Sequence, residues 1–377
     1  MDLREYLKSQ DSLCEFEVSK HQNAVFQMLE EHAMNVAGIH LTYERRPEFN
    51  KLLEFQGPAG VTILGLDKEQ ISGICSISMG SRYIQGQKTT AGYVGDFRTN
   101  GTKYVAKLWR KTYAAVLKST QNTKELLNPQ YFLTAILADN ALAIRNLVEL
   151  KKDFGFYYRF LRTVDMVNIY GRKPFAKTSS PWQGRFAKAS DEDRIRSFLD
   201  VAEQRKSFGA VFDTSSESEW TRRKKVWPGF KTENFVLIED SQGELLAVTL
   251  PWSPSAAKRM RVTQAPGMLL TAFKILKVFG YNMPSVGQSI ETCYLTHLNI
   301  KPDVDASSVV QTLLEFLLEK SFLKTNHMLS VADWWGLNLK SFITQRVPVN
   351  LYAVATDSNQ HLSELKTPEI GFEMGLV

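Results

Sequence analysis

The chain has 377 residues, 44% hydrophobic and 23% charged, with 46 Lys and Arg against 40 Asp and Glu and a formal net charge of +6. That length favours two hydrophobic cores over one, and the composition excludes a disordered or fibrous chain. Cys14, Cys75 and Cys293 are isolated and the six histidines are scattered, which excludes a disulfide framework and a structural zinc site, so no metal is expected.

The opening MDLREYLKSQDSL lacks the apolar segment of a secretory signal. The longest apolar stretches, residues 309–318 and 268–279, are interrupted by Glu315 or by Lys274 and Lys277 and fall short of a membrane span. A cytoplasmic protein with no membrane partner is the expectation.

CEFEVSK alternates as a short strand, and HQNAVFQMLEEHAMNVA carries Val25, Met28, Leu29 and Ala33 at helical spacing. VTILGL and ISGICSISMG, joined by DKEQ, predict an antiparallel hairpin, and GYVGDFR a further strand. Through TNGT the chain enters a helix over 103–118, with Ala106, Leu108, Trp109, Thr112, Tyr113, Val116 and Leu117 on one face. YFLTAIL reads as a strand and ADNALAIRNLVEL as a helix capped by Asp139 or Asn140, before a last strand near 163–170.

GRKPFAKTSSPWQG has no periodicity and places a boundary near Lys177, dividing the chain into domains 1–177 and 178–377. Beyond it GRFAKAS, DEDRIRSFLDVAEQ, the hairpin FVLIEDSQGELLAVTLPW, TCYLTHLNI, VVQTLLEFLLEKSF and VNLYAVAT repeat the same order, as a duplicated fold would. The predicted class is α/β (α+β): two tandem units, each a mixed, mostly antiparallel twisted sheet flanked by helices.

Three local motifs carry a resemblance. GDFRTNGTKYVAKLW resembles the fourth strand, pyrophosphate loop and following helix of the GNAT superfamily of acyl-CoA N-acyltransferases. LADNALAIRNL resembles that family's next strand and helix, with Asn140 and Ala143 matching NxxA, and LTHLNIKPDVDASSVVQTLL falls in register with the loop motif a second time. YERRPEF, PGFKTENFVLIEDSQGELLAV and LYAVA extend the likeness to a tandem-GNAT family across the whole chain. The resemblance implies acetyl-CoA or another acyl-CoA as cofactor, an amine of a small molecule or polypeptide as acceptor, and Phe97, Arg98, Thr99, Lys103, Tyr104, Val105, Ala106, Lys107, Leu108 and Asn140 as cofactor-binding residues. A nucleic-acid partner is not expected.

The departures from the family pattern are informative. Such a loop holds pyrophosphate through backbone N–H groups at a helix N-terminus, with glycines allowing close approach. Here, read without a gap, Tyr104, Val105, Lys107 and Trp109 stand at the family's Arg-or-Gln and glycine positions, whereas a gapped reading puts Gly101 at the Arg position. From Phe97 through Thr123 there is no acidic residue, while Arg98, Lys103, Lys107, Arg110, Lys111 and Lys118 cluster there, which suits a polyphosphate. The second loop carries Asp303 and Asp305, and each like-charge contact would cost on the order of 1 kcal/mol, so the second half, with this degenerate loop, is expected to serve structure or the substrate side.

Amine acylation needs a base and an acid. Asp96, near the end of its strand, is the candidate base, against a bland role in a turn or a pair with Arg98; His297 holds the equivalent place in the repeat and reads more simply as an interior histidine. The family's acid tyrosine position is Leu147 here, so Tyr157, or its neighbour Tyr158, is the candidate hydroxyl. Glu44 would meet a cationic amine, although Arg45 and Arg46 would equally meet an acidic substrate. TRRKKVWPGFK reads as a solvated helix face rather than a nucleic-acid patch. Two functions remain: an N-acetyltransferase, or a catalytically silent ligand-binding pair of the same fold.

Overall fold

The computed structural model describes residues 14–15, 18–31, 34–36, 38–67, 70–100, 103–119, 127–129, 131–149, 155–176, 181–216, 218–356, 365 and 369–377. The side chains of 14, 15, 18, 19, 35, 67 and 103–108 lie outside that description, as does the predicted boundary at Lys177.

The first half contributes β1 (Cys14–Glu15), β2 (Met34–Val36), β3 (Ile39–Glu44), β4 (Ala59–Asp67), β5 (Gln70–Ile84), β6 (Gln87–Thr99), β7 (Tyr131–Leu137) and β8 (Tyr157–Arg172). The second contributes β9 (Gln183–Phe186), β10 (Gly209–Ala210), β11 (Val236–Glu239), β12 (Leu245–Trp252), β13 (Arg259–Gln264), β14 (Ser289–Ile290), β15 (Thr292–Ile300), β16 (Met328–Asp333) and β17 (Phe342–Ala355). The predicted hairpins are present, but of the described part of the predicted strand CEFEVSK only Cys14–Glu15 is extended, and Val18–Lys20 open the first helix. The first helix runs Val18–Glu31, and Met34–Val36, at the end of the predicted helical segment, is a strand.

Among the described residues, thirteen strands form one sheet in the order β1-β4-β5-β6-β7-β17-β8-β16-β15-β12-β11-β9, with β10 on β5. The order is symmetric about its centre. Each half builds five strands, then accepts the long strand of the other half beside its own: β17 lies between β7 and β8, and β8 between β17 and β16. The fourteen pairs from Phe342↔Arg172 to Ala355↔Tyr157 fuse what the sequence presents as two units into one sheet.

Helices pack on each half by the predicted faces. Helix Lys103–Ser119 buries Trp109, Tyr113, Val116 and Leu117 against Ile63, Cys75, Ile77 and Val94. Trp109 rests on two glycines: a Cβ at Gly65 would meet its ring at 2.8 Å and one at Gly73 at 3.0 Å. Helix Ala306–Glu319 buries Val309, Val310, Leu313, Leu314 and Leu317 against Val236, Ile238 and Leu295. Each such side chain gains roughly 1.5–3 kcal/mol by leaving water. No helix among the described residues is long and apolar enough to cross a membrane.

A second sheet, β14-β13-β3-β2, draws two strands from each half. Met260 of β13 pairs with Tyr43 of β3 and Val262 with Leu41; all four side chains line the cavity described next.

Candidate active site

The site forms where two parallel neighbours part. β6 and β7 are in register only over Ala91–Tyr93 and Tyr131–Leu133. Beyond that, Val94–Arg98 and Thr134–Leu137 line walls of a cavity of about 300 Å³. At the parting point Asp96 has φ 55°, beside a register shift between β5 and β6. His297 has φ 58° beside the matching shift between β12 and β15. A non-glycine residue in the left-handed region costs about 1 kcal/mol or more, and the two halves hold it at equivalent positions, as the sequence register implied.

Asp96 faces a cation, though not Arg98. Arg45 Nη1 donates to both Asp96 carboxylate oxygens, at 3.0 and 2.9 Å, and Arg45 Nη2 donates to the Phe49 carbonyl at 2.7 Å. The Arg45 side chain has no exposure and lies 4.5 Å from the Phe49 ring centroid. Arg98 instead lies over the Tyr43 ring and lines the cavity; its Nε is buried with no partner among the described residues.

The other predicted residues divide. Phe97 and Asn140 line the same cavity, and Asn140 Oδ1 accepts from the Ala143 amide at 3.1 Å, capping a helical turn that continues as a π-turn over Ile144–Val148. Tyr158, not Tyr157, faces the cavity, because successive strand residues point to opposite sides and Tyr157 packs into the central core with Leu351 and Ala353. The Tyr158 hydroxyl pairs with that of Tyr113 at 3.0 Å, and burial pushes its pKa up, so it stays protonated at neutral pH. Glu44 is on the strand face opposite Tyr43 and is ion-paired with Arg261 of β13. Thr99 pairs with Gly73 in the sheet and does not reach the cavity walls. The side chains of Lys103, Tyr104, Val105, Ala106, Lys107 and Leu108 lie outside the described residues.

The sequence reading missed several neighbours of Asp96. Lys258 of the second half is buried; desolvation, with Arg45 adding to it, pushes its pKa down to about 7. Met374 and Val377 also reach the cavity wall, and Lys258 Nζ donates to the Val377 carbonyl.

The equivalent space in the second half is divided and smaller. β15 and β16 are in register only over Thr292–Tyr294 and Met328–Ser330. Residues Ile370–Val377 line one cavity there of about 90 Å³, Gly371 N donates to the Ser207 carbonyl at 2.8 Å, and a separate cavity of about 190 Å³ lies at the second loop, lined by Lys206, Asn299, Asp303 and Trp335. Asp305 caps helix Ala306–Glu319, its carboxylate taking the Ser308 amide at 3.0 Å, which engages an amide that a pyrophosphate would otherwise use.

His297 is an interior histidine here. Its ring is hydrogen-bonded to Arg223 and to Thr296 Oγ1, and packs among Phe212, Trp227, Phe230 and Phe235. This corrects the solvated reading of TRRKKVWPGFK: Trp220, Arg223 and Trp227 are buried, and Arg223 donates to Glu219 at 3.0 Å. Burial, with Arg223 beside it, holds the His297 pKa well below the ordinary range. The unfolded chain then takes up a proton near about pH 6.5 that the native state refuses, so the contribution is complete above that pH and is lost as pH falls below it. Glu373, raised by burial, contributes with the opposite sign, so the comparison needed is with a variant. His297→Gln is expected to flatten the fall in urea-measured stability between about pH 6.5 and about pH 5; an unchanged slope would contradict the neutral assignment.

Among the described residues no cluster of His, Cys, Asp or Glu could hold a metal ion. No protein-family model and no curated protein matches the sequence. Among solved structures, Saccharomyces cerevisiae N-myristoyltransferase with bound myristoyl-CoA aligns with a TM-score of 0.54 at 11% identity, over 96% of this chain and 85% of that one. The chain shares the fold of that N-myristoyltransferase. A GCN5-related glucosamine N-acetyltransferase region in a fungal multi-domain β-N-acetylglucosaminidase gives a TM-score of 0.54 at 9% identity, over 90% of this chain and 38% of that one. At these identities the likeness is one of GNAT fold, and the chemistry must be argued from the cavity.

Proposed function

We propose that this GNAT-fold chain transfers an acyl group, acetyl being the smallest candidate, from acyl-CoA to an amine, in the cavity between β6 and β7. One observation carries the reading: the first half keeps one cavity of about 300 Å³ open between its parted strands around Asp96, Arg98, Asn140 and Tyr158, whereas the equivalent space of the second half holds two smaller cavities, of about 90 and 190 Å³, the second beside the carboxylate of Asp303. Arg98 Nε is a buried donor with no partner among the described residues, and residues 97–123 contain no carboxylate, which favours a polyanion at that end.

The chemistry follows from two groups. Asp96, held by Arg45, accepts the proton of the amine as its nitrogen attacks the thioester carbonyl. Tyr158, kept protonated by burial, gives its proton to the CoA sulfur as the C–S bond breaks. The new N–C bond leaves an amide and free CoA thiol. Asp96→Asn is expected to lower kcat in a CoA-release assay by about 10²–10⁴-fold with KM for acyl-CoA little changed, and Tyr158→Phe to act in the same direction.

A second reading has its own support. Arg45 donates to both oxygens of Asp96, which suits a carboxylate fixed for binding. Saturable acyl-CoA binding without CoA release across a panel of amines would favour a ligand-binding protein over the enzyme.

A further inference from the structure

We propose that the arm of the Asp96 cavity walled by β3 and β13 binds the acceptor, and that the acceptor is a primary amine carried on an apolar, uncharged body. The proposal rests on the acyl-transfer reading for its chemistry and on the cavity walls for its substrate class. Strand alternation builds the arm. Leu41 and Tyr43 of β3, Met260 and Val262 of β13 and Ile290 of β14 line it, joined by Phe273 of helix Gly267–Val278. The intervening Glu44 and Arg261 turn to the other face of this sheet, where they pair with each other. Met166, Met328 and Val347 of the large sheet line the same cavity.

Size and charge select the occupant. The cavity's volume of about 300 Å³ is twice the roughly 150 Å³ of a buried cavity that takes up benzene, far more than an acetyl group fills. Among the described residues lining it, the ionisable side chains other than tyrosines are Asp96, Arg98 and His327. His327 Nδ1 accepts from the Glu291 amide at 2.9 Å, and burial holds its pKa below the ordinary value, so the ring is neutral with its proton on Nε2. Other polar side chains there satisfy one another: the Tyr170 hydroxyl donates to Gln345 at 2.8 Å, and that of Ser330 to Asn168 at 3.0 Å. Away from Asp96 and Arg98, a second ammonium, a carboxylate or a phosphate on the acceptor would leave water without meeting a counter-charge, whereas a hydrocarbon body gains by each apolar contact.

Position assigns the arm to the amine rather than to the acyl chain. Tyr43 packs with Met34 and Met260, and its hydroxyl accepts from Arg45 Nη1 at 3.4 Å, the same nitrogen that holds Asp96. Tyr158 packs instead with Ile136, Ala143 and Leu147. The arm therefore begins on the side of Asp96, where the amine gives up its proton, and Tyr158, the donor to the departing sulfur, stands with the other walls.

The test is calorimetric titration of the full chain, with and without CoA, by hexylamine, 1,6-diaminohexane and 6-aminohexanoate, which share one chain length and differ only at the end away from the amine. Hexylamine is expected to bind at least about tenfold tighter than either of the others. Val262→Phe, which narrows the arm, is expected to weaken hexylamine by at least about tenfold and to leave CoA binding unchanged; Ile290→Trp, at a half-buried position, is expected to do the same by a second route. Equal affinity for the three amines, tighter binding of a charged one, or no saturable binding of any would overturn the proposal. So would a preference for dodecanoyl-CoA over acetyl-CoA that Val262→Phe abolishes, because the arm would then hold the acyl chain. Selective hexylamine binding with no CoA released from acetyl-CoA would uphold the amine site while refuting transfer, so the two failures are separable.

Discussion

Residues 1–176 and 181–377, produced separately, are expected to show no cooperative unfolding transition, and the two pieces co-expressed are expected to recover one. Each piece lacks the strand its sheet needs next. Without β17, β7 and β8 lose the partner that lies between them. Without β8, β16 loses its antiparallel neighbour and β17 loses fourteen paired residues. The exposed edges would carry Val164, Val167, Ile169, Leu351, Ala353 and Val354, all fully or almost fully buried in the intact chain. The expected loss is the whole of a domain's stability, about 5–15 kcal/mol, with open edges prone to aggregate. A well-dispersed amide spectrum from 1–176 alone would show that the exchanged strands are not required.

Arg45→Met is expected to destabilise the intact chain by about 3–5 kcal/mol, the usual cost of leaving one member of a buried ion pair behind. Asp96 is 10% exposed by side chain and would lose its Nη1 donor, while the Phe49 carbonyl would lose its donor too. The variant Arg45→Met, Asp96→Asn should recover more than half of the loss in urea unfolding. A single-variant cost below about 1 kcal/mol would place the pair with surface ion pairs and remove the argument that Asp96 is held in position.

Much of this was legible in the sequence where periodicity was strong. TCYLTHLNI is β15 residue for residue, the hairpins are where VTILGL, ISGICSISMG and FVLIEDSQGELLAVTLPW placed them, and the match of Asp96 to His297 reappears as paired positive-φ residues. What was not legible depended on partners distant in sequence. No local pattern shows that VNLYAVAT pairs across to YFLTAIL of the other half. TYERRPEF reads as a loop because Arg45, Arg46 and Pro47 are polar or strand-breaking, yet the alternation of IHLTYE puts Leu41 and Tyr43 on one face, with Glu44 turned away. That signal was available and would have removed Glu44 from the cavity. The neighbouring tyrosines Tyr157 and Tyr158 posed the same choice of strand face, and only the register of β8 decides it. The burial of Arg223 had no signal in the run of charges around it, because it depends on His297, 74 residues away, and on Glu219 one helical turn before it.

In the proposed mechanism acyl-CoA occupies the parted strands of the first half and not those of the second. Calorimetric titration of the full chain with acetyl-CoA and with a longer acyl-CoA tests it most directly, repeated on Arg98→Glu and on Lys301→Glu beside the second loop. One site per chain, weakened by about tenfold or more in Arg98→Glu, as loss of a charged hydrogen bond predicts, and unchanged in Lys301→Glu, is the predicted result. Binding that Lys301→Glu weakens and Arg98→Glu leaves intact would contradict it.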